Sequence, residues 1–145
     1  MTGILLILGA LPFILGGIQN WYMLNNPDSL LPYGLIAFVF LFAWCFIAFL
    51  LNKDGKRTRQ IVLFLNLIAA LDLLLVGIQE LIFHAYWMNH IGLWSQLFYL
   101  PVLNLGVNLT SWSHTLFPAY AAGFILMICC SFVGCNLRKK LQNNL

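Results

Sequence analysis

Asn66, Asp72, Gln79, Glu80 and His84 all lie within one apolar stretch, Ile61 to Met88, which is long enough to cross a bilayer. Carboxylates, amides and an imidazole can bind cations, carry protons or hold a small polar solute. In hydrocarbon, however, an ionisable side chain costs at least about 2.5 kcal/mol. At about 100° per residue, Asp72, Gln79, Glu80 and His84 fall with Asn66, Ala69 and Gly77 in a wedge of roughly 160°. That wedge must face protein, water or a ligand, leaving the leucines and isoleucines for lipid.

No Lys or Arg lies in any apolar segment to neutralise either acid, which suits a proton-coupled or cation-binding group. His84, four residues beyond Glu80, is expected one helical turn above it, where it would tune the acid. The same i, i+4 pair could serve a membrane enzyme of lipids or isoprenoids as general acid and base. Against catalysis, the chain holds no HExxH, no aspartates at metal-ligand spacing and no Ser or Cys beside a base. A further reading is architectural: the polar residues only hold helices, or a partner subunit, together, through bonds worth about 0.6 kcal/mol each.

Composition sets the class. Hydrophobic residues make up 62% of the 145 and charged residues 8%, with a mean hydropathy of +0.91, whereas soluble domains are about 25% charged. The chain therefore reads as a polytopic membrane protein with one domain, residues 1–145, and no nucleic-acid partner. Cys45, Cys129, Cys130 and Cys135 all sit in apolar segments, with no CxxC, and read as packing residues. No metal or cofactor is expected.

Hydropathy predicts four spans, at about 3–24, 30–52, 61–88 and 115–137. The first lacks a cleavable leader's features and reads as a retained helix, with Gly9, Pro12, Gly16 and Gly17 permitting a kink or a close neighbour. The second has no ionisable residue and reads as packing, with Pro32 expected in its first turn. A turn signal, Asp54-Gly55, follows it. In the fourth, Ala119 with Gly123 and Cys130 with Gly134 are small-xxx-small pairs that admit another helix. Residues 91–112 carry no charge and have Asn104, Asn108, Ser111 and Thr115 on one stripe. They read as an external amphipathic element, interfacial or re-entrant, with Asn104 and Asn108 on a lid.

All seven basic residues fall in segment 52–60 and the C-terminal tail. The positive-inside rule then places both termini and loop 52–60 in the cytoplasm of a multi-pass cell-membrane protein, with loops 25–29 and 89–114 outside. The first and third spans align at an offset of 60 residues, pairing Gly17-Ile18-Gln19 with Gly77-Ile78-Gln79. The second and fourth align at 86, pairing Pro32 with Pro118 and Lys53 with Lys139. The chain thus reads as an all-α bundle of two tandem helical hairpins, the second with an insertion. The duplication matches Gln19 to Gln79 and Asn20 to Glu80.

The expected site is an outward-opening cleft between the first and third spans. It is lined by Gln19, Asn20, Asp72, Gln79, Glu80 and His84, and it takes protons or a small polar or cationic solute. Membrane lipids and a homo-oligomer or partner membrane subunit are the expected partners. No catalytic residue is assigned.

Overall fold

The computed structural model describes residues 2–53 and 57–143. The expected Asp54-Gly55 turn lies outside the described residues. Among them there is no strand, and the helices are α1 (Thr2–Gly9), α2 (Leu11–Asn25), α3 (Tyr33–Leu51), α4 (Thr58–Leu65), α5 (Leu67–Gly77), α6 (His90–Leu109) and α7 (Phe117–Asn143). A π-helical segment, Ile78–Ile82, continues α5 directly. Thr2–Asn25, Tyr33–Leu51 and Phe117–Asn143 are long and apolar enough to cross a membrane. The pair Thr58–Leu65 and Leu67–Ile82, bent by 40°, is a fourth candidate if it counts as one span.

The helix ends follow local chemistry. Pro32 disfavours helical geometry at Leu31, so α3 starts at Tyr33 and not at residue 30. The basic run ends the apolar run but not α7, which continues to Asn143, because Lys and Arg are good helix formers that favour a helix C-terminus. The first span is interrupted at Ala10, where Pro12 lacks the N–H that would continue the ladder. The third is interrupted at Asn66 without a proline. There the side chain donates to the Val62 carbonyl at 2.8 Å, and the chain turns before α5 resumes. The two interruptions meet, since a Cβ on Gly9 would lie 2.7 Å from the Leu65 carbonyl oxygen. They do not coincide in the 60-residue alignment, which pairs Ala10 with Ala70.

α3 and α7 pack along each other. Gly134 permits it: a Cβ there would come within 2.1 Å of the Cys45 carbonyl oxygen. At their shared end Asn52 Nδ2 donates to the Cys135 carbonyl at 3.0 Å, and Gln142 Nε2 donates to the carbonyl of Lys53. Lys53 and Arg138 to Lys140 therefore gather at one end of the bundle, with Arg57 and Arg59 entering α4 beside them.

The opposite end is organised by α6. This helix touches α2, α3, α5 and α7. Its Gly92, Ser95, Leu97, Phe98, Tyr99, Pro101, Val102 and Gly106 are buried. It begins beside Trp87 and finishes beside Ala119 near the start of α7, with Asn104 near Gly34 at the start of α3, so both of its ends lie at the end away from the basic residues. The element expected to be interfacial or re-entrant is thus packed inside the bundle. It ends at Leu109, so Ser111 and Thr115 do not extend its polar stripe, and Asn108 donates to Asn104 at 3.3 Å on the exposed side.

Candidate functional site

α5 and the π segment carry the acids to the inner face of the bundle. Asp72 is 4% exposed, and its Oδ2 is buried without a hydrogen-bond partner. Tyr99 of α6 donates to the Ala69 carbonyl at 2.6 Å, one turn before Asp72, and lies within electrostatic reach of that acid. Tyr120 of α7 lies within electrostatic reach of both Asp72 and Glu80 and packs edge-on against Tyr99, with ring centroids 5.7 Å apart. Two carboxyls and two tyrosines thus converge where α5, α6 and α7 meet.

Glu80 closes the side of this cluster away from the basic end. Its Oε2 accepts from the Tyr86 hydroxyl, while its Oε1 is buried and unpartnered. Burial first, and then the Glu80 hydrogen bond, push the Tyr86 hydroxyl well above its ordinary pKa, so it stays a donor at neutral pH. The π segment creates this arrangement. Phe83 N donates to the Ile78 carbonyl five residues back, Ala85 N to that of Gln79, and His84 then takes φ 51°. The helix therefore stops at Ile82 and not at residue 88, and His84 is exposed. The expected stacking of His84 over Glu80 does not form, and Tyr86 takes that place.

Gln79 is fully buried and fully employed. Its Nε2 donates to Ser95 Oγ and its Oε1 accepts from Trp87 N, both at 3.0 Å. Asn89 caps α6 by accepting from Gly92 N at 2.9 Å. Together these bonds fasten segment 83–89 to the first turns of α6. Asn66 has a similar role deeper in the bundle: Nδ2 donates to Ser131 Oγ at 2.9 Å, and Oδ1 accepts from Trp44 Nε1 at 3.2 Å.

Gln19 and Asn20 do not join the acids. α2 packs against α6 so closely that a Cβ on Gly16 would lie 1.9 Å from the Leu97 carbonyl oxygen. α6 thereby fills the space where a cleft between the first and third spans was expected. Gln19 is 8% exposed and lines a cleft of about 580 Å³ with Tyr22, Leu35, Val39 and Pro101, and its Oε1 is unpartnered. Asn20 is half-buried, and Asn104 and Asn108 sit at the far end of α6.

The residues that sequence reasoning missed are Tyr86, Tyr99, Tyr120 and Ser95, whose hydroxyls are hidden among aromatic and small residues. Gly92, Ser95, Tyr99 and Gly106 do share one helical face, and that small-residue stripe was a legible sign of an inward face. Among the described residues no three His, Cys, Asp or Glu side chains converge as metal ligands would. Family models, curated proteins and solved structures all return no match to this chain.

Proposed function

We propose that the chain is a four-span membrane protein with its basic end in the cytoplasm, and that Asp72 and Glu80 bind protons or a small cation. One observation carries this reading: Asp72 Oδ2 and Glu80 Oε1 are both buried without a donor, no Lys or Arg lies in α5 or α6, and those of α7 stand at its far end, Arg138 to Lys140. An orphaned carboxyl oxygen inside a bundle is costly unless a proton or cation satisfies it. Tyrosines supply neutral ligands around the acids, and no fixed cation competes with the bound one. Access from the outer end runs past segment 83–89, where Tyr86 holds Glu80. The bent third span and the two tandem hairpins fit this four-span arrangement.

The test is flux in proteoliposomes. Wild-type protein carrying a proton or alkali-cation gradient should dissipate it, while Asp72→Asn and Glu80→Gln should each lower the rate at least about tenfold without loss of folded protein. Equal rates in wild type and both variants would overturn the reading. A purely architectural role is the second reading, favoured by Gln79 and Asn66, whose side chains are spent on holding helices. It predicts that neither acid variant changes flux or the pH dependence of melting.

A further inference from the structure

A groove of about 640 Å³ runs between α4–α5 and α7 toward the basic end. Along α7 its wall passes from Phe124 and Phe132 to Asn136 and then Lys139. On the facing wall it passes from Val62 to Thr58 and Arg59. Both walls change from hydrocarbon to polar and cationic side chains in the same direction. At a rise of ~1.5 Å per residue, Phe124 to Lys139 covers about 22 Å, close to one leaflet with its headgroup region, about 20–22 Å.

The two cations at the mouth are exposed and make no ion pair among the described residues. Their neighbour Arg138 is directed elsewhere, its guanidinium lying 5.2 Å from the centre of the Phe49 ring. The bend at Asn66 sets the groove's upper part, since Asn66 lines it while tied to Ser131 and Trp44. A neutral lipid would leave Arg59 and Lys139 without a counter-charge. A soluble anion would leave the apolar length empty.

We infer that this groove holds one anionic phospholipid, its phosphate between Arg59 and Lys139 and an acyl chain along Val62, Phe132 and Phe124. This assignment rests on the membrane-spanning reading and is separate from the acid pair. Charge-assisted contacts to phosphate are the strong ones, and two cations at a lipid headgroup give a preference that mixed-lipid competition can read.

The experiment is native mass spectrometry of detergent-purified full-length protein with phosphatidylglycerol and phosphatidylcholine of matched chains. Wild type should retain phosphatidylglycerol over phosphatidylcholine by at least about tenfold. The double variant Arg59→Gln/Lys139→Gln should fall to parity. A control, Lys53→Gln/Lys140→Gln, removes equal charge from the same end but outside the groove and should keep the preference. Parity in wild type, or an equal loss in the control, overturns the assignment. Displacement of the lipid by millimolar inorganic phosphate alone would also overturn it, since the acyl chain would then contribute nothing. All these variants should retain wild-type flux, so failure of the groove and failure of the acid pair are told apart. A chain monodisperse without detergent would instead sink the membrane reading.

Discussion

Two polar centres lie on the same bent pair of helices, α4 and α5 with its π segment, and they are built in opposite ways. Around Asn66, every strong hydrogen-bonding atom of the amide meets a partner: Val62, Ser131 and Trp44. Around Asp72 and Glu80, one carboxyl oxygen on each acid meets none. An amide brings both donors and acceptors, so it can be satisfied by its neighbours. An ionised carboxylate only accepts, and its surroundings here offer tyrosine hydroxyls and little else. The first centre is complete as it stands and fixes shape. The second leaves one acceptor on each acid open, the place that the proposed proton or cation would fill.

The largest expected effect is at the completed centre. Asn66→Leu leaves the Trp44 indole N–H without an acceptor in the core, takes one donor from the Ser131 hydroxyl, which still donates to the Ile128 carbonyl, and removes the cause of the bend. Stability to chemical denaturation in detergent should fall by about 2–4 kcal/mol. A loss below about 0.5 kcal/mol would erase the contrast between the two centres.

A smaller effect is expected at the incomplete one. Asp72→Asn keeps the shape, supplies donors and removes an unpaired acid, so unfolding should shift by less than about 1 kcal/mol in either direction. The difference in melting temperature between wild type and Asp72→Asn should nevertheless vary across pH 5 to 8. A difference constant across that range would show that Asp72 exchanges no proton there and would remove it from the site.

The smallest effect is at the rim. Tyr86→Phe removes one hydrogen bond to Glu80, and melting should drop by a few degrees near pH 7. The folded hydroxyl sits above its unfolded value of 10.0. Its contribution is therefore fully present below pH 10 and fades as the pH climbs above it. The gap between wild type and Tyr86→Phe should narrow from pH 9 to pH 11. A gap that widens would show that Tyr86 does not hold Glu80 as a donor.

The apolar runs were legible because hydropathy integrates over twenty residues, and three long apolar helices lie where it placed them. The interruption at Asn66 was not, since one amide among leucines barely alters a window average. How deeply α6 packs was not legible for a related reason. His90, Gln96, Asn104 and Asn108 lower its mean hydropathy, and four of its buried residues, Gly92, Ser95, Tyr99 and Gly106, are not strongly apolar. Asp72 and Glu80 stood out in the sequence because acids are rare in such segments. Their tyrosine partners come from α6, α7 and segment 83–89, and nothing local announces that convergence. The π segment was hidden as well, because Ile78–Ile82 has an ordinary helical composition. Gln19 and Asn20 were joined to the acids through an internal alignment, which carries no information about the helix that lies between them.

On the proposed four-span reading, the position of α6 also implies an order of events in biosynthesis. Its first half leans on α2 and α5, but Gly106 rests on the Ala119 backbone and Tyr99 on Tyr120, both belonging to α7. The second half of α6 also meets α3, which precedes it, but its contacts with Ala119 and Tyr120 form only when α7 is present. On that reading, the enclosure of the two acids is therefore completed last, when α7 emerges.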